Sequence, residues 1–169
     1  DVIERIEVAI RECISNTLSN QYGGHWFLNS EHFKSISDHE KLLQHLRKEV
    51  ENSKELFIKH YYRKYCSPEL PPSWMTFEIQ SLGTLSRIFK ALNQENKKEV
   101  SKIFNLDSKI IESWLHSITY LRNLCAHHNR VWDRRFTIKP QQAKLYKQYL
   151  LENDKFYAQA VVLEVFLKV

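Results

Sequence analysis

Helix breakers in this chain are few and crowded together. Three of its four prolines, Pro68, Pro71 and Pro72, fall within five residues of the stretch CSPELPPSW, and only three glycines occur in 169 residues. A ring-locked φ and a missing N–H keep proline out of a helix interior, so this stretch must separate helices. So few turn formers cannot supply the many tight turns of an all-β chain. The remaining sequence carries apolar residues at helical spacing, and the fold class that follows is all-α.

The opening segment DVIERIEVAIRECISNTLS sets Val2, Ile6, Ala9, Ile10, Cys13 and Ile14 on one helical face. Gly23 and Gly24 end it. A second helix is expected near Ser37, where SDHE places a glutamate three residues after a serine in the capping-box pattern. It runs through KLLQHLRKEV and then continues or restarts in SKELFIKHYYRKY. Beyond the prolines, Ser73 is positioned to cap one helix over WMTFEIQSLGTLSRIFKAL. A short helix over QENKKEVSKIF follows, then a long one capped by Asp107 or Ser108. DRRFTIKP reads as a loop, Pro140 suits the first turn of another helix, and a last helix spans roughly Asp154 to Lys168. There is no repeat, low-complexity tract or long linker, so one domain over residues 1–169 is expected.

The formal net charge of +5 permits a polyanionic partner such as nucleic acid without demanding one. No apolar run approaches the ~20 residues of a membrane span. Cys13, Cys66 and Cys125 lack paired spacing, so each is expected to be a small buried hydrophobe in a reducing cytoplasm rather than part of a disulfide framework.

The chemistry is concentrated in YLRNLCAHHNRVW, residues 120–132. If the helix ran through this stretch, Ile111, Trp114, Ile118, Leu121, Cys125 and Trp132 would form its core face. His116, Tyr120, Asn123, His127 and Arg130 would form a polar stripe opposite, with Arg122 to its side. Three readings compete. One is a solvated or interfacial face with satisfied histidines. A second is a metal site, which the spacing disfavours: His127 and His128 point about 100° apart on a helix, and neither HExxH nor CxxC is present. The third is metal-free phosphoryl chemistry. Histidine moves protons near neutral pH, an arginine fork stabilises charge on a phosphorane-like transition state, and an asparagine orients the partners.

Arg122-Asn123-x-x-x-His127 matches the Arg-polar-x-x-x-His motif of the HEPN superfamily, and SWLHSITYLRNLCAHHNRVW resembles the signature of the Abi family, the AbiD/AbiF-like abortive infection proteins of bacteria. RIEVAIR, YGGHWFLN, FIKHYYRKY, LPPSWMTFEIQSLGTLSRIFKAL and KIFNL resemble that family in its usual order. The resemblance implies a HEPN-like helical bundle that pairs as a two-fold homodimer. It implies a cytoplasmic, metal-independent endoribonuclease, needing no cofactor, in phage defence or as a toxin. Arg122 would stabilise the phosphate, His127 transfer protons and Asn123 orient them, with His128, Asn129 and Arg130 contacting the RNA. Arg134, in the DRRF stretch, would border the same cleft. An inhibitory small RNA or antitoxin protein is the expected partner. The family's usual N-terminal stretch would precede Asp1, making this a C-terminal portion. The alternative is a catalytically silent HEPN-type module that binds RNA or protein. Two further features stay open: the basic and aromatic KHYYRKY as a base-stacking surface or core tyrosines, and Glu78 as an arginine's partner or a first-turn acid.

Overall fold

A computed structural model describes residues 2–168. Every regular element among them is helical, with one isolated bridge between Phe33 and Leu92 and no strand, so the chain is all-α. No helix among the described residues is long and apolar enough to cross a membrane. The chain divides into two compact units, one over Ile10–Val100 and the other formed by the residues up to Ala9 together with those from Ser101 onward.

Helix α1 (Val2–Tyr22) contributes to both units. Its buried ridge is Ile6, Ile10, Ile14 and Leu18, a strict i, i+4 row, while terminal Val2 is exposed. Gly23 ends the helix in the left-handed region at φ +84°, a conformation open to glycine without a Cβ clash. The core of the Ile10–Val100 unit is aromatic. Trp26 and Phe27, in a 3₁₀ turn, meet Phe77 edge-on or tilted with ring centroids 5.5–5.8 Å apart, and Trp26 stacks on Phe33.

Helix α2 (Ile36–Asn52) begins two residues earlier than the sequence suggests. Its N-cap is Ser35, whose hydroxyl accepts the Asp38 amide, rather than Ser37. The Lys34 amide bonds the Ala91 carbonyl at 2.9 Å, which holds residues 33–34 extended and fixes where the helix can start. The chain restarts in α3 (Leu56–Lys64). Within KHYYRKY, Tyr61 is buried and bonds the carbonyls of Pro68 and Leu70, and Tyr62 bonds that of Glu69. These two hydroxyls anchor the proline-rich segment.

The single helix expected after the prolines is two, α4 (Ser73–Glu78) and α5 (Leu82–Ala91). Ser81 caps α5 through the Thr84 amide, a signal hidden inside an otherwise helical pattern. Ser73 is the first helical residue, not a cap, and its buried hydroxyl bonds Ser15 and Ser19. Glu78 closes α4 rather than opening it and pairs with Arg11 at 2.9 Å. A short α6 (Gln94–Lys102) follows.

The other unit is built on α7 (Ser108–Ala126) and α8 (Phe156–Leu167). Asp107 caps α7 by accepting the Lys109 amide. Between them the chain makes only a 3₁₀ stretch, Lys144–Tyr149, and Pro140 lies outside any helix, its carbonyl held by the Asn153 amide group. The cysteines depart from the expectation of burial: Cys66 and Cys125 are exposed. Cys13 is half-buried, and burial pushes its thiol up to about 11.

The two candidate caps of α2 are separable. Ser35→Ala should cost about 1 kcal/mol of stability, while Ser37→Ala should change it by no more than a few tenths. Chemical denaturation of the two variants beside the parent protein checks this.

Candidate functional site

Helix α7 is anchored along its buried face by Ile111, Trp114, Leu115, Ile118, Leu121 and Leu124. Its Ser117 hydroxyl donates to Gln159 of α8 at 2.7 Å, both side chains fully buried. The Trp114 indole donates to the Gln141 carbonyl, and the Gln141 amide returns a bond to Ser113. Directions along α7 are therefore fixed, and its last turn presents Arg122, Asn123, Cys125 and Ala126 outward.

The helix stops at Ala126, within the motif, rather than continuing to Trp132. A Schellman turn ends it. The His128 amide bonds the Cys125 carbonyl at 3.0 Å, and the Asn129 amide bonds the Leu124 carbonyl at 2.8 Å. The residue between these bonds adopts φ +52°, and it is His128, not the usual glycine. The early stop corrects the expected core face: Trp132 is 79% exposed, and Cys125 is exposed as well. Arg130 leaves the helical stripe for the loop that follows.

That loop folds back onto α7. Phe136 is buried in a cluster with Leu121 and Leu124, against which Ile3, Tyr120, Val131 and Leu163 pack. The Phe136 amide bonds the Asp154 carbonyl, and Arg135 pairs with the Asp154 carboxylate at 2.7 Å. Arg134 spans the loop, one guanidinium nitrogen on the Arg130 carbonyl and another on the Tyr120 hydroxyl, each at 3.4 Å. Hydrogen bonding from Thr137 and then from Arg134 holds the Tyr120 phenol below its ordinary value. Tyr120 was visible in the sequence only as a member of the polar stripe; its part as the loop's anchor was not.

The predicted residues fall into two groups. Arg122 lines an open cavity of about 600 Å³ with Ile3, Glu7, Leu121, Cys125, Val131 and Phe156. Asn123 and His127 are one turn apart on another side of the helix, and the Asn123 carbonyl accepts the His127 amide at 3.1 Å. Five residues of helical rotation set Arg122 and His127 roughly 140° apart about the axis. His127, His128, Asn129 and Arg130 are all exposed and do not line the Arg122 cavity. Among the described residues, no three His, Cys, Asp or Glu side chains gather as a metal-binding group.

An all-α chain with an exposed Arg-Asn-x-x-x-His turn at the end of a core-anchored helix is thus the class defined by fold and site. The sequence model of the Abi-like proteins matches residues 1–133, and the chain belongs to that family. The matched span takes in the whole turn and ends just before Arg134. No curated protein and no solved structure matches the chain.

Two expectations follow from the turn. His128→Gly should raise stability by about 1 kcal/mol, because glycine occupies φ > 0 without a Cβ clash, whereas His128→Val should lower it. Thermal denaturation reads both. Arg134→Gln should move the ionisation of Tyr120 upward, detectable as a shift of one tyrosine step in an absorbance titration.

Proposed function

We propose that this Abi-like protein is a metal-independent endoribonuclease of the HEPN type, acting in abortive infection or as a toxin. The observation that carries the reading is the exposed Arg122-Asn123-x-x-x-His127 set, fixed at the end of a helix whose other face is core. RNA supplies its own nucleophile. The 2′-oxygen attacks phosphorus while His127 of one protomer takes its proton, the bond to the 5′-oxygen breaks, and that oxygen takes a proton from the protonated His127 of a second protomer. The products are a 2′,3′-cyclic phosphate and a 5′-hydroxyl. Arg122 stabilises the charge that builds on the non-bridging oxygens. Asn123 orients His127, and His128, Asn129, Arg130 and Arg134 border the RNA path.

The angular separation of Arg122 and His127 supports a paired site. Cleavage needs a base and an acid as well as a charge stabiliser, and one protomer carries a single Arg122/His127 pair whose positions lie roughly 140° apart about the helix axis. A two-fold homodimer brings a second motif to the same phosphate. Such an activity needs restraint in a healthy cell, which is the role of a small RNA or antitoxin protein.

The test is RNA cleavage in excess EDTA with end-group analysis of the products. The wild type should cut and leave cyclic phosphates, while Arg122→Ala and His127→Ala should each lose at least about 100-fold. A one-to-one mixture of wild type and His127→Ala, after subunit exchange, should fall to roughly a quarter of the wild-type rate at the same total protein, because only a quarter of the dimers keep both histidines. RNA binding without cleavage by the wild type would instead support a silent binding module.

A further inference from the structure

A second feature lies within the Ile10–Val100 unit and plays no part in the site above. Helices α2 and α5 enclose a cleft of about 290 Å³ lined by Lys34, Asp38, Lys41, His45, Arg87 and Lys90, with Leu42 and Ala91 as its apolar wall. Four side-chain cations face one carboxylate. Lys34 pairs with Asp38 at 3.4 Å and Lys41 also acts on that carboxylate from a greater distance, so a single acid is shared among the four cations.

Helix electrostatics explain only part of this clustering. Lys90 lies in the last turn of α5, where the helix carbonyls favour a cation. Lys34 lies just before the Ser35 cap of α2, where the amide end of the helix disfavours a cation, and Lys41 lies in the second turn. Their convergence on Arg87 and Lys90 adds repulsion to an already positive end, and an anion in the cleft would relieve it.

The arginine is also held in place. Arg87 Nη2 lies 3.2 Å from both His45 Nε2 and Thr84 Oγ1. Arginine has no acceptor, so its bond to His45 uses the lone pair of a neutral imidazole nitrogen, and His45 Nε2 lies a further 3.1 Å from Thr84 Oγ1, which closes the three side chains into one network. Burial, followed by the Arg87 charge, holds the imidazole below its ordinary value, which favours that neutral form. Thr84 is itself fixed, buried and bonded through its amide to the Ser81 cap. One edge of the guanidinium is thereby committed to protein, and its other N–H groups remain for a bidentate oxyanion.

We infer that the cleft between α2 and α5 is a binding site for the phosphate group of a small phosphomonoester, with Arg87 as the fork and Lys41 and Lys90 as the flanking charges. Its volume sits at the low end for ligand pockets, about 300–1,000 Å³, which suits a small ligand better than a polymer. The apolar wall of Leu42 and Ala91 would receive the uncharged part.

Calorimetric titration of the intact protein with inorganic phosphate and with ribose 5-phosphate, using ribose as the uncharged control, tests this. Saturable binding of both phosphates and none of ribose is expected. Arg87→Gln should weaken it at least tenfold, and so should the double variant Lys41→Gln/Lys90→Gln, which changes only exposed side chains and should leave the circular dichroism unchanged. No saturation by millimolar phosphate would overturn the inference, as would equal binding in the parent and the double variant. A single-stranded RNA oligonucleotide that binds through these residues while ribose 5-phosphate does not would overturn it in favour of a nucleic-acid surface.

Discussion

One hydrogen bond, from the Asn129 amide to the Leu124 carbonyl, decides what the end of α7 becomes. Leu124 belongs to the core and Asn129 to the surface, so the bond turns the chain out of the helix at the point where the core runs out. Everything beyond depends on that reversal. Val131 and Phe136 can return to Leu121 and Leu124 only because the helix has ended, and Arg134 reaches Tyr120 only because the loop has doubled back. The polar residues of the motif stay outside for the same reason.

The geometry of α7 also separates two duties within six residues. Leu121 and Leu124 hold the helix to the protein, while Arg122 and Asn123 between them face outward in different directions. Arg122 borders a largely apolar groove, and His127 stands on the open turn.

The helical class was readable because apolar spacing and the scarcity of breakers pointed the same way. Ile6, Ile10 and Ile14 belong to that reading, and buried Leu18 extends their row by one turn. Boundaries were harder wherever two signals competed. Ser35 and Ser37 each precede an acid by three residues, and a long-range bond from Lys34 to Ala91 selected the first. Ser81 was overlooked because apolar periodicity ran straight across it. The end of α7 carried no glycine to mark it, since a histidine occupies the left-handed position. The polar types of the candidate site were legible because their chemistry is distinctive. Their directions were not, because those depend on where the helix stops.

The Schellman turn has an electrical consequence too. A helix gathers about half a negative charge at its carboxyl end, carried by carbonyls without partners. At the end of α7 the carbonyls of Asn123, Leu124 and Cys125 all accept amides from the turn. Their lone pairs are thus partly occupied, and the negative field of the helix end is muted there. A frayed end would leave those oxygens bare, so the tight reversal softens an otherwise electronegative surface.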